Sequence, residues 1–325
     1  MTPVATGVRS ALKRQLRSWE AGLDGMRAWD FPSWNQTLDD ALAVLPPLAT
    51  CPHDLFRALA EQRGDVSKVN VLVCRRDRPL AVLALRSTGG PWEPVTMWIT
   101  PGLPFPFAHT GVLPILRAVG LPMNFAWWRC PGEPPRSRRV VTSAPELTYR
   151  LPCDADPETH WRKTSLLHNV RNARRRCESF SVAADVPGAY EWVIRNWGLA
   201  WRVAPHHVED MLLAARMRVA QGRYHSLVVY DNDRAIAGAT EIEDDGDLVG
   251  QAVFRDPDYE RHSLGTFVID RLFAWAVERG FKGLDFGGTA SYKERWAPVG
   301  GRKFTVSVMP LYRAIADALR RPFRR

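Results

Sequence analysis

Two stretches of the chain, VLVCRRDRPLAVLALR (Val71 to Arg86) and LVVYDNDRAIAGATEI (Leu227 to Ile242), share one pattern: an apolar run, a charged turn and a second apolar run. Small and β-branched apolar residues on either side of a polar turn predict a β-hairpin in each. The two align without a gap at an offset of 156 residues, with identities at Val73/Val229, Asp77/Asp233, Arg78/Arg234 and Ala81/Ala237. The elements after each hairpin also repeat. A strand (Val95 to Ile99; Leu248 to Phe254) leads to a helix (Gly111 to Val119; Ser263 to Arg279) and then to another strand (Met123 to Trp128; Gly283 to Phe286). Recurrence of a whole succession predicts an internal duplication. The expected fold class is therefore α/β, two tandem units, each a mixed, mostly antiparallel sheet flanked by helices.

The second copy is the better formed. Its helix has Ser263 as N-cap, an apolar stripe through Val268, Leu272, Trp275 and Ala276, and Gly280 as its stop. The first copy's helix is short, holds Pro114, and comes after a loop crowded by Pro101, Pro104 and Pro106. A further helix is predicted over TSLLHNVRNARRRC (Thr164 to Cys177), where Leu166, Val170, Ala173 and Cys177 recur at helical spacing. Its other side is basic: His168, Arg171 and Arg175 share a face, Arg174 borders the stripe, and no acid intervenes before Glu178. Two readings stand, a solvated charged face and an anion-binding surface for diphosphate or RNA.

Proline-rich residues 131–135 and the basic residues 136–139 interrupt regular structure, and an extended piece from Leu147 to Leu151 comes next. The expected division is 1–150, with a basic helical leader over 1–30, then 151–310, then a basic C-terminal helix over 311–325. At 325 residues the chain is long enough for two ordinary domains. With 46% hydrophobic and 24% charged residues it is globular rather than disordered. No apolar run is long enough to span a membrane and the start lacks a signal peptide's apolar core, which gives a cytoplasmic expectation. Five scattered cysteines without Cys-x-x-Cys spacing, and the adjacent His206 and His207, give neither a disulfide framework nor a metal site. The net charge of +9 implies an anionic partner, whether nucleotide, RNA or membrane surface.

Candidate chemistry gathers in the second copy. Tyr259-Glu-Arg261-His-Ser263-Leu264-Gly265-Thr266 joins a strand to a helix start, where backbone N–H groups, the close approach allowed by Gly265 and the charge of Arg261 suit a phosphate. Beyond it, Leu284-Asp285-Phe-Gly287-Gly288-Thr-Ala-Ser-Tyr292-Lys293-Glu-Arg-Trp296 releases a polar loop from the carboxyl end of a strand, the usual ligand position of α/β sheets. Lys293 there, with backbone N–H groups near Gly287 and Gly288, is placed to stabilise an oxyanion. Asp285 and Glu241 are the candidate bases; the alternatives are an Asp285 that bonds loop amides and a proton loss assisted by the substrate, which needs neither.

In this order, HNVRNARRR, Tyr259 to Thr266, AVERGFKGLDFGG and Ser291-Tyr-Lys-Glu-Arg-Trp296 resemble the BioF2-like or cellulose-biosynthesis-protein-D-type acetyltransferases. That family is a branch of the GNAT superfamily related to the Fem aminoacyltransferases, and the resemblance covers about residues 160–298. It implies tandem GNAT-like domains with the transfer site in the second, Lys293 as the residue stabilising the acyl carbonyl, and Arg171 and Arg174 as basic positions of the arginine-rich helix. It also implies acyl-CoA as co-substrate and an amine or hydroxyl of a sugar, cell-envelope precursor or small metabolite as acceptor. The usual coenzyme A loop, Arg/Gln-x-x-Gly-x-Gly/Ala, is matched only by Gly265 and a displaced Arg261. An aminoacyl-tRNA donor is therefore the alternative, and an RNA- or membrane-surface-binding protein using the arginine helix and the basic C-terminus is the non-enzymatic one.

Overall fold

The computed structural model describes residues 15–16, 18, 21–22, 25–48, 51–62, 66–96, 112–128, 137, 139–154, 156–287, 291–311, 313 and 315. Two units separate: Met1–Pro145 with Lys303–Arg325, and Glu146–Arg302.

In the first unit, β1 (Met26–Phe31), α1 (Gln36–Ala43) and α2 (His53–Glu61) precede the hairpin of β2 (Ser67–Arg75) and β3 (Arg78–Ser87). Then come β4 (Glu93–Pro94), α3 (Val112–Val119), β5 (Met123–Trp128) and β6 (Val140–Thr142). Strands β1 to β4 form an antiparallel sheet in chain order. The expected helical leader is helical at 15–16, 18 and 21–22, but β1 corrects its end, since Met26 to Phe31 pair with β2 from Arg75 to Asn70 and Met26 is buried. Backbone pairing to a strand edge outweighs the weak helical pattern there. Asn35 caps α1 by accepting the Leu38 N–H at 3.2 Å. Pro114 lies in the first turn of α3, where its missing N–H removes no helical bond. Of the strand expected at 95–99, the pairing occurs at Glu93–Pro94, and residues from 97 lie outside the described residues.

The second unit begins with β7 (Glu146–Pro152), α4 (Pro157–Lys163) and α5 (Leu167–Arg176). It continues through β8 (Ser181–Ala184), α6 (Ala189–Ala200), α7 (Pro205–Ala220), β9 (Tyr224–Asp231), β10 (Arg234–Asp244) and β11 (Asp247–Arg255). A 3-10 turn (Pro257–His262), α8 (Leu264–Glu278), β12 (Gly283–Asp285) and a second 3-10 turn (Ser291–Arg295) come after them. The strand order is β8-β9-β10-β11-β12-β7, antiparallel except for the parallel pair β11 and β12. The last strand, β13 (Val299–Val308), then crosses back: Phe304 to Val308 pair with β5 and β6. Residues 303–310, expected with the second domain, thus fall in the first unit, where Phe304 to Val308 pair with β5 and β6. Of the expected C-terminal helix, 311, 313 and 315 are helical and the rest lies outside the described residues.

Each unit carries the succession β-α-α-β-β-β-α-β, and the fold is that of two tandem α/β units. Their hairpins share one register: Val73 faces Ala81 as Val229 faces Ala237, and Cys74 faces Pro79 as Tyr230 faces Ala235. Even the bulge recurs, passing over Leu80 in one copy and Ile236 in the other.

The stripe predicted on α5 is buried at Val170 and Ala173, with Leu166 and Cys177 at its ends. On α8, Val268, Leu272 and Ala276 are buried, and Gly280 at φ 77° stops the helix in the left-handed region. Asp270 of α8 is fully buried and accepts from Trp161 Nε1 at 2.8 Å and from Arg174 Nε and Nη2 at 2.8 and 2.7 Å. Among the described residues no helix is long and apolar enough to cross a membrane, and no three His, Cys, Asp or Glu side chains group as metal ligands.

Candidate active site

The parallel pair β11 and β12 is short. Asp247 to Val249 face Gly283 to Asp285, and β11 then runs on to Arg255 while the other chain turns away. The turn is made at Gly287, φ 69°, where a Cβ would lie 2.5 Å from the Gly250 carbonyl oxygen. Only glycine fits both the angle and the approach. Gly250 itself leaves room for one acid and for the neighbouring backbone: a Cβ there would meet the Asp285 main-chain carbonyl oxygen at 3.3 Å and Glu241 Oε2 at 3.4 Å. Glu241 faces Gly250 across the sheet, immediately after a register shift in β10 beyond Thr240.

Into this corner the second 3-10 turn brings Lys293, whose Nζ donates to Phe286 O at 2.6 Å. Glu241 and Asp285 are buried and Lys293 is half-buried. Burial pushes the Glu241 carboxyl well above the usual carboxylate range, against the pull of Lys293 and with the help of Asp285. Burial likewise lowers the Lys293 ammonium below its usual range, opposed by the charges of Glu241 and Asp285. Both shifts favour the same exchange, a proton on Glu241 and a neutral amine on Lys293, over the separated ion pair.

The three residues expected to carry chemistry are brought together. The expected backbone donors are not. The Gly287 N–H donates to Asp285 Oδ1 at 2.8 Å, a correction to its expected role, because the tight turn aims it at the carboxylate that precedes it. Gly288 lies outside the described residues. Tyr292 is exposed, with its ring centroid 6.0 Å from Lys293 Nζ.

The loop before α8 is fastened from both sides. Tyr259 Oη donates to Asp231 Oδ2 at 2.8 Å and Arg234 Nη2 to Asp256 Oδ2 at 2.6 Å, so Tyr259 ties the loop to the hairpin. Ser263 precedes the helix as expected but does not cap it. At φ 59° and ψ 40° it is left-handed, its side chain caps no N–H, and its Oγ accepts from Arg176 Nη1 at 3.1 Å. Leu264 packs into the core. Gly265 opens toward Arg255, whose Nη1 would stand 3.5 Å from a Cβ there, and Thr266 lies beside it, partly buried. Arg261 is exposed and its carbonyl accepts from Arg176 Nη1 at 3.3 Å.

Two arginines near this helix start, Arg176 and Arg255, are not singled out by sequence. Both are visible there as charges, but no local pattern says that they converge on residues 261–265. The arginines singled out on α5 divide. Arg171 pairs with Glu158. Arg174 is held bidentate by Asp270, which fixes α5 to α8 and makes it a packing residue. Removing one partner of such a buried pair costs about 3–5 kcal/mol. Arg175 remains on the surface, with Asn172 Oδ1 at 3.4 Å.

Residues 164–297 match the family described as acetyltransferase (GNAT) domain. Solved structures with a similar fold include the L-PGS structure from Bacillus licheniformis, at 12% identity over 88% of this chain and 96% of that one, TM-score 0.51. A tandem GNAT protein from the clavulanic acid biosynthesis pathway matches at 11% identity over 87% and 98%, TM-score 0.50. A conserved protein of unknown function from Bacteroides thetaiotaomicron matches at 10% over 83% and 96%, TM-score 0.50. No curated protein matches the sequence. At these identities the likeness concerns the fold, which is the tandem GNAT fold.

Proposed function

We propose that the protein is an acyl-CoA-dependent N-acyltransferase with its chemistry in the second unit, acting on an amine of a sugar, cell-envelope precursor or small metabolite. The observation that carries this reading is the Glu241, Asp285 and Lys293 cluster, set where β12 leaves β11. Separated parallel strands expose backbone and side chains at their carboxyl ends, a natural seat for an extended thioester. The helix start at Leu264, with Arg255 and Arg261 near it, suits the donor's diphosphate.

The acceptor enters as a neutral amine. Its nitrogen lone pair forms the C–N bond while the carbonyl π pair moves to oxygen, and the Lys293 side chain donates a hydrogen bond to that oxyanion. Collapse of the adduct breaks the C–S bond, and the proton on nitrogen leaves with the thiolate, so no external base is needed. Asp285 holds the Phe286–Gly287 turn through the Gly287 N–H. Pairing of Arg171 and Arg174 with Glu158 and Asp270 removes much of the basic face that a tRNA donor needs, which favours coenzyme A.

The test is incubation of the purified protein with a panel of acyl-CoA donors and cell extract, followed by mass spectrometry. A product whose mass tracks the acyl chain supports the reading. Absence of any donor-dependent product across the panel overturns it.

A further inference from the structure

One arginine outside the corner holds together the strands that open it. Arg150, on β7, faces Asp285 of β12 across the antiparallel ladder, and Pro152 faces Gly283. The Arg150 side chain crosses β12 and reaches β11, where its Nε and Nη2 donate to Asp247 Oδ2 and Oδ1, both at 2.6 Å. Asp247 itself faces Gly283 in the first pair of the parallel ladder. A bidentate contact of this kind fixes direction as well as distance. Gly283 makes the crossing possible, since a Cβ there would lie 2.7 Å from Arg150 Cζ. Its backbone is not among those with positive φ, so the space taken by the guanidinium, not the backbone angle, is what calls for glycine.

The backbone at this point leads to the reacting groups. The Arg150 N–H donates to Pro298 O at 3.1 Å, and Tyr149 O accepts from the Phe286 N–H at 3.0 Å. Phe286 O is in turn the acceptor of Lys293 Nζ. Charge follows the same route. The hydrogen bonds to Asp247 raise the Arg150 pKa against the cost of burial, with Asp247, Cys153 and Asp285 adding attraction, and Asp285 also acts on Lys293 after Glu241. Burial pushes the Cys153 thiol up to about 11, which leaves it neutral at ordinary pH. In the first copy the residue three before Pro94, as Asp247 is three before Gly250, is Pro91. The arginine's partner thus belongs to the copy that has the acids.

We infer that Arg150 is a positioning residue for the reaction: by gripping Asp247 across Gly283 it holds β11 to β12 as far as Asp285, so that the strands part where Glu241, Asp285 and Lys293 meet. The inference rests on the acyltransferase reading for what the corner does, but half of its test needs no turnover. Steady-state kinetics measures kcat and KM, and trace labelling with acetic anhydride, read by peptide mass spectrometry across pH, measures where Lys293 loses its proton. Arg150→Gln should lower kcat by on the order of tenfold to 10²-fold with little change in KM, the size of effect expected when reacting groups shift by about 1 Å. It leaves the Asp247 charge unbalanced, so the Lys293 midpoint should move to higher pH. Asp247→Asn leaves Arg150 unbalanced, and the midpoint should move to lower pH. The double variant should return the midpoint close to that of the wild type while kcat stays low.

Two milder changes keep the test open where a charge-removing variant does not fold. Arg150→Lys preserves the charge but not the planar fork, so it should hold the midpoint and recover only part of kcat. Gly283→Ala pushes the guanidinium aside with every charge in place, and should lower kcat in a folded protein. A merely structural pair would reduce the folded fraction in both single variants without moving Lys293 in opposite directions. Midpoints that stay put, or that move the same way in both, overturn the inference, as do kcat losses that only track the unfolded fraction. Failure of the wild type to turn over any donor would sink the acyltransferase reading and leave the labelling to decide whether Arg150 governs Lys293.

Discussion

The two hairpins coincide pair for pair, from Lys68 with Arg86 and Tyr224 with Ile242 at one end to Arg75 with Arg78 and Asp231 with Arg234 at the other. The agreement extends into the next strand, where Pro94 faces Leu85 as Gly250 faces Glu241. Here the copies part. Where the second has a buried acid over a glycine, the first has leucine over proline. Leu85 puts an apolar side chain where the second copy has an acid, and Pro94 stands where Gly250 leaves space to Glu241. Backbone geometry alone therefore does not make the site. A scaffold held constant in register becomes reactive through a few side chains that burial then perturbs.

Each copy also has a half-buried lysine, and exchanging them for methionine is the strongest way to break the comparison. Lys293→Met should lower turnover by on the order of 10²–10³ with little change in KM. Lys68 donates to the carbonyls of Leu59 and Gln62, a tie between strand and helix, so Lys68→Met should keep turnover in the folded fraction. Steady-state kinetics on the two variants would refute the contrast if both lost activity alike.

A second change writes the acid of one copy into the other. Leu85→Glu buries a carboxyl at a position 1% exposed, without the lysine that accompanies Glu241. It should cost about 2–5 kcal/mol of stability and confer no new activity. Urea unfolding checks it, and a neutral outcome would mean that the first copy's corner is wet.

The smallest expected effect concerns pH. Because the folded protein holds the Glu241 proton more tightly than the unfolded chain, this group's contribution is largest below its ordinary pKa of 4.5. That contribution fades as pH rises toward the elevated value. Glu241→Gln removes the proton and should flatten that part of the stability profile. Thermal melts of the two proteins from acid to neutral pH that stay parallel would show that Glu241 does not titrate as its burial demands.

Much of this frame is legible in the sequence, because it is written in short periods. The hairpins, the stripe Val170–Ala173 on α5 and the stop at Gly280 each depend on residues within a few positions of one another. The features that sequence hides depend on distance. Arg174 looks like a free cation because its partner, Asp270, lies 96 residues further on. Arg171 finds Glu158 thirteen residues back, in another helix. β1 is hidden because its signal is a partner strand, not its own weak alternation. Ser263 has the composition of a cap, yet a left-handed backbone and Arg176 redirect its hydroxyl. The candidate chemistry is located by its glycines and its polar loop, but the raised pKa of Glu241 comes from burial that no local pattern reports.

The passage of β13 back into the first unit sets an order of events during synthesis. β7, which comes after the first copy in the chain, lies beside β12 of the second, and the later part of β13, which comes after the second copy, lies beside β5 of the first. The half made first on the ribosome must wait for residues up to Val308 before its β5 and β6 acquire that partner strand. The half made second finds its own flanking strand already translated. Completion therefore runs against the direction of translation, so β5 and β6 of the earlier half stay without that partner strand for as long as the later half is being made.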